Sequence, residues 1–193
     1  MKNYLISLSA ILAVFVSLSN CTEKKTAADE NQEDEIHEEI SVDNSEFTTG
    51  TIQIGVIVSD FEKSIDFYTN VIGMVKTGGF SIDAEFGEKS GLTNAESFDV
   101  TILKLKDNPE AAEWKIMSFG KEANHPAQQY IHDDIGMQYV TIFVKSMKPV
   151  MERLKKYSIT LLEETPVFLA DGRQFVLVQD PDGNFIELIG PGE

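Results

Sequence analysis

The chain carries a repeat of one strand-then-helix pattern. IGVIVSDFEKSIDFYTNVIGM (54–74) and YVTIFVKSMKPVMERLKKY (139–157) follow the same plan, and aligning Val58 with Val144 sets a constant offset of 86 residues. In the first copy TIQIGVIV (51–58) is β-branched and apolar and reads as a buried strand. Ser59 with Glu62 then has the form of a capping box, and Phe61, Ile65, Tyr68 and Ile72 fall on one helical stripe. Gly73 stands where a helix C-cap belongs. In the second copy YVTIFV (139–144) is the strand, and a helix from Ser146 presents Met147, Val150, Met151, Leu154 and Tyr157. Pro149 falls in its first turn, where a missing N–H costs little. Strand-like segments follow each helix: FDVTILKLKD and EWKIMSFG in the first half, FVLVQDPDG and NFIELIG in the second. GGFSIDAEFGEKSGLTNAES (78–97) reads as irregular chain. An internal repeat of this length constrains the fold more than any composition does.

The turn DPDG and the strand NFIELIG pose a specific problem. Phe185, Glu187 and Ile189 share one strand face, Ile186 and Leu188 the other, so Glu187 is a carboxylate among apolar neighbours. Such a group needs a partner or a wet cavity.

The two ends of the chain differ in kind. Lys2 precedes an apolar run from Tyr4 to Leu18, short for a bilayer span but suited to the apolar core of an export signal. Leu18, Ser19 and Asn20 lead into Cys21, the one cysteine, and this resembles a bacterial lipoprotein signal, 1–20, whose cysteine would be lipidated. An ordinary signal followed by an unmodified cysteine is the alternative. Residues 22–50 hold ten acidic residues against two lysines, half of the chain's net charge of −16, with almost no apolar periodicity. The stretch 21–50 therefore reads as a disordered acidic tether. The rest, 51–193, is acidic too, which argues against nucleic-acid binding and against electrostatic adhesion to anionic lipid. Attachment to a membrane would run through Cys21.

The segments IGVIVSDFEKSIDFYTNVIGM and DGRQFVLVQDPDGNFIELIGP resemble the opening and closing of the vicinal-oxygen-chelate superfamily of glyoxalases, bleomycin resistance proteins and dioxygenases. The resemblance covers about residues 51–191. It implies an α+β fold in which two βαβββ modules, about 51–120 and 137–193, pair into a cup-shaped mixed sheet with helices outside. In metal-dependent members four side chains meet in the cup, from the first and last strand of each module, and hold a divalent ion that acts as a Lewis acid.

Carried over residue by residue, these positions are Gln53, Lys115, Tyr139 and Glu187. Glutamine and glutamate suit zinc, nickel, manganese or iron. The phenol of Tyr139 is a poor ligand for a hard ion, and the ammonium of Lys115 is a donor that repels a cation. A register shifted by two residues would put Glu113 in place of Lys115, but Trp114 and Ile116 match Ile186 and Leu188 better. Lys115 is thus expected either to pair with Glu187 across the pseudo-twofold or to snorkel to solvent at the rim. His37, His125 and His132 fall in the tether and the linker and supply no ligand set. No serine–histidine–acid set, phosphate loop or nucleophilic cysteine is present. Arg173 either points into the cup toward an anion or marks the solvent face.

Three readings follow. The first is an envelope-anchored protein that binds a small molecule in its cup, with Met117, Phe119, Phe143 and Phe175 as apolar walls and no metal expected. The second is a metal-dependent enzyme of glyoxalase or dioxygenase type that uses Gln53 and Glu187. The third is a non-catalytic envelope interaction module. A homodimer is compatible with each.

Overall fold

The structure, a computed structural model, describes residues 46–122 and 126–192, which fall in one compact unit, Asn44–Glu193. Residues 1–20, read above as a signal, Cys21, His37, most of the acidic stretch and His125 lie outside the described residues. Among the described residues no helix is long and apolar enough to cross a membrane.

Two modules of the same topology make up the α+β fold. In the first, β1 (Gln53–Ile57) leads to α1 (Phe61–Asp66), then β2 (Val75–Ile82), α2 (Ala84–Ser90), β3 (Phe98–Lys104) and β4 (Glu113–Met117). In the second, β5 (Tyr139–Phe143) leads to α3 (Lys148–Lys156), β6 (Val167–Phe168), β7 (Gln174–Gln179) and β8 (Phe185–Gly190). The sheets have the orders β1-β4-β3-β2 and β5-β8-β7-β6, with the first and last strand of each module parallel.

Alternation decides which side chains reach the core. Ile54 and Val56 of β1, Trp114 and Ile116 of β4, Ile142 of β5 and Ile186 and Leu188 of β8 face the helices and join one cluster that runs through both modules. The opposite faces keep the alternating residues, among them Gln53, Ile57, Tyr139 and Phe143, which remain exposed.

Three expectations are corrected. The stretch 78–97 is not irregular: it contains most of β2 and all of α2, whose N-cap Asp83 accepts from the Phe86 N–H. Gly79 permits β2 there, because a Cβ at that position would lie 2.4 Å from the Val100 carbonyl oxygen. The N-cap of α1 is Asp60, whose carboxylate accepts from Lys63 N; Ser59 bonds Asp182 instead, so no capping box forms. Beyond α1 the chain widens into a π-helix, Phe67–Ile72, which turns Phe67, Tyr68, Val71 and Ile72 all inward. Gly73 closes it in the left-handed region, φ 95°, as its position in sequence implies.

The modules are joined by polar bonds around this π-helix. Tyr68 Oη donates to Asp180 Oδ2 at 2.7 Å, and Arg153 of α3 donates to the Val71 and Ile72 carbonyls at 2.8 and 3.1 Å. The DPDG turn adds a further link, with Ser59 N and Oγ both donating to Asp182. Burial, and next the charge and hydrogen bond of Asp180, push the Tyr68 phenol far above its ordinary range.

A raised folded pKa means that this phenol's contribution is complete below the unfolded value of about 10 and falls as pH rises past it. Tyr68→Phe should lower stability by about 1.5–3 kcal/mol at neutral pH, the worth of a hydrogen bond to a charged group. It should also remove part of the loss of stability seen above pH about 10. Urea unfolding of both proteins across that range tests both effects.

Candidate functional site

The four carried-over positions lie on the open faces of the two sheets, two on each. On the first sheet the strand register pairs Gln53 with Glu113 and Gly55 with Lys115; on the second it pairs Tyr139 with Phe185 and Thr141 with Glu187. With the offset of 86 residues, Lys115 therefore occupies in the first module the place that Glu187 occupies in the second. The shifted register with Glu113 is not the one the strands adopt.

Lys115 and Gln53 meet directly: Lys115 Nζ donates to Gln53 Oε1 at 2.5 Å. Lys115 also lies 3.8 Å from Glu113 and 5.6 Å from the centroid of the Phe80 ring. Glu113 is shared, for Lys104 approaches its other oxygen at 3.3 Å. These groups are mostly covered, with side-chain exposures of 11% for Lys104, 18% for Glu113 and 23% for Lys115. One carboxylate between two ammonium groups leaves this face one positive charge in excess.

Glu187 has a different partner. Thr141 Oγ1 donates to Glu187 Oε2 at 2.5 Å across the parallel strands. The expected pair between Lys115 and Glu187 is absent among the ion pairs of the described residues; Lys115 is taken by Gln53 and Glu113 on its own sheet. The reason is local. Each group finds its acceptor or donor one strand away, at lower entropic cost than a reach between sheets. Tyr139 is half exposed at the start of β5. Lys115 keeps 23% of its side chain exposed, and its ammonium is bonded over the sheet to Gln53.

The apolar candidates divide. Met117 pairs with Ile57 on the open face of the first sheet, and Phe175 with Ile189 on that of the second. Phe119 packs on Phe98, with ring centroids 5.2 Å apart. Phe143 is 67% exposed and lies 5.5 Å from the Arg173 guanidinium. Arg173 is engaged by Asp171 at 2.7 Å, which holds the Asp171 carboxyl below its ordinary range. His132 is largely exposed, 3.9 Å from Asp133 and stacked on Tyr130.

The best-formed cavity, about 360 Å³, lies between the free edges of β1 and β5. It is lined by residues 54–59 and 137–140, with Asp182 and Asn184, and includes only Tyr139 of the four positions. Sequence reading missed it, because an edge-to-edge gap depends on how the modules dock and no residue pattern encodes that.

As a ligand set for a divalent ion these residues fit poorly. The oxygen of Gln53 is already an acceptor for an ammonium, and that ammonium stands where the pseudo-symmetric carboxylate would be. Among the described residues no group of three or more His, Cys, Asp and Glu is placed to hold a metal.

This topology and sheet register define the paired βαβββ architecture. The family description "Glyoxalase/Bleomycin resistance protein/Dioxygenase superfamily" matches residues 50–188, and the chain belongs to that superfamily. It is 24% identical over 139 residues to the uncharacterized protein YwbC of Bacillus subtilis (strain 168), an alignment that spans 69% of this chain and 90% of that protein. Its fold is similar to that of a glyoxalase family protein from Bacillus cereus, with a TM-score of 0.63 at 15% identity over 79% of this chain and all of the other. It is also similar to the trypanothione-dependent glyoxalase I of Leishmania major, with a TM-score of 0.50 at 19% identity, over 72% of this chain and 85% of that one.

The charge cluster yields a contrast in stability. Glu113→Gln, which leaves two covered ammonium groups without their carboxylate, should cost about 1–3 kcal/mol. Glu85→Gln breaks only the exposed Glu85–Lys89 pair, with side chains 77% and 73% exposed, and should shift the unfolding midpoint too little to resolve. Denaturant titrations of the two variants side by side check the difference.

Proposed function

We propose that this chain is a glyoxalase-like binding protein that holds a small molecule on the open faces of its sheets without the superfamily's metal. The bond from Lys115 to Gln53 carries the reading. An ammonium supplies a positive charge beside a carboxamide, with Phe80 exposed nearby for apolar contact. A few polar groups among apolar ones is the usual make-up of a small-ligand site. Gln53 and Lys115 act from the first sheet, Tyr139 and Glu187 from the second. The superfamily's frame supports this use but does not assign a reaction.

The reading extends to location. A lipid on Cys21 would hold the protein at the bacterial cell envelope, outside the cytoplasm, with the acidic stretch as a spacer. Cys21→Ala should then move the protein from the membrane fraction to the soluble fraction, and an unchanged distribution would count against the anchor.

Metal content decides between binding protein and metal-dependent enzyme. After incubation with zinc, nickel, manganese or iron and desalting, the protein should retain no stoichiometric metal. Near-stoichiometric metal that disappears in Glu187→Ala would overturn the reading in favour of the enzyme.

A further inference from the structure

The open face of the first sheet has a charge that disagrees with the rest of the molecule. The chain carries a net −16, yet this face holds Lys104 and Lys115 against Glu113 alone. Lys104 is the more covered of the two and is spent locally, on Glu113 at 3.3 Å and on the Asn108 carbonyl at 3.4 Å. Lys115 is the one that solvent reaches, and among the described residues its one hydrogen bond is to Gln53 Oε1. An ammonium has three donors, so two remain. The amide nitrogen of Gln53 likewise has no partner among the described residues, and it sits on the carboxamide that already touches Lys115.

Apolar surface lies beside these donors. Phe80 is 44% exposed with its ring 5.6 Å from Lys115 Nζ. Half-covered surroundings strengthen the attraction of a charge relative to open water. A polyanion such as a nucleic acid or an anionic membrane surface would meet the acidic remainder of the chain and be repelled. A small ligand with one negative charge balances the single excess positive charge.

We propose that this face binds a small organic carboxylate: a monoanion joined to an apolar body. The carboxylate accepts from Lys115 through one oxygen and from the Gln53 amide through the other, and the apolar body packs on Phe80. This rests on the metal-free binding reading and gives it a ligand class.

The test uses three probes of one shape, 4-phenylbutyrate, 4-phenylbutanol and 4-phenylbutylamine, titrated into the full chain by calorimetry. Aromatic NMR signals of Phe80 locate the contact. The acid should bind about tenfold or more tightly than the alcohol, the worth of a charged hydrogen bond, and the amine should not bind. Lys115→Met should reduce the acid to the affinity of the alcohol and leave the alcohol unchanged. Lys115→Arg should keep most of the preference, and Lys89→Met, which removes an exposed charge on α2, should keep all of it. Alcohol and acid binding equally well at Phe80 would overturn the proposal while leaving the small-molecule reading intact. A preference that survives Lys115→Met, or no binding by the acid, would overturn it as well, and the small-molecule reading would then stand or fall on metal content alone.

Discussion

Asp180 is a carboxylate taken almost wholly out of water, and the arrangement of both modules depends on how it is satisfied. It accepts from Tyr68 Oη, from the N–H groups of Asp182 and Asn184, and from Asn184 Nδ2. An unpaired buried carboxylate would cost several kcal/mol, on the order that drives such groups to neutralise. Four donors, three of them from its own turn, remove that cost and lock the turn's shape. The fourth comes from the π-helix of the first module. One side chain therefore fixes the β7–β8 hairpin and docks it onto the other half of the molecule. Asp182, two residues on, ties the same hairpin to Ser59 at the end of β1.

From that point the placement of the site residues follows by register. The turn starts β8 at Phe185, which puts Glu187 opposite Thr141 on the open face and Ile186 and Leu188 in the core. The link to Ser59 holds the end of β1, whose pairing with β4 brings Gln53 and Lys115 together. At the far end of β8 a Cβ on Gly190 would lie 2.5 Å from the Val144 carbonyl oxygen, so this glycine allows β8 to close against the exit of β5.

Much of this was legible in the sequence where periodicity speaks. The repeat, the strands of 51–58, 139–144 and 184–190, the α3 stripe and the Gly73 cap all follow from local patterns that burial then reinforces. The equivalence of Lys115 and Glu187 was legible for the same reason, because Trp114 and Ile116 had to face inward. Besides the cavity between the strand edges, three features were not. β2 and α2 hide in 78–97 because the strand is exposed on both faces over most of its length, so no alternation marks it. The π-helix depends on packing against α3. The partner of Lys115 was misjudged because the pseudo-twofold suggested a bond between sheets, whereas Gln53 on the neighbouring strand was close enough to take it.

The same frame thus carries two chemically opposite faces. One places an ammonium, a carboxamide and a shared carboxylate over its sheet, the other a carboxylate whose one bond among the described residues is to a threonine hydroxyl. Removing Glu113 alone would strand two mostly covered ammonium groups, whereas replacing a covered ion pair as a whole with apolar residues is often neutral or stabilising. Folding gives no reason to keep Lys104, Glu113 and Lys115 together on β3 and β4, since the continuous core on the helix side holds both sheets without them. The cluster lies on one of the two open sheet faces, where the Lys115 side chain keeps 23% of its surface exposed. The acidic composition of the chain makes that face a local exception, with two ammonium groups against one carboxylate on its strands.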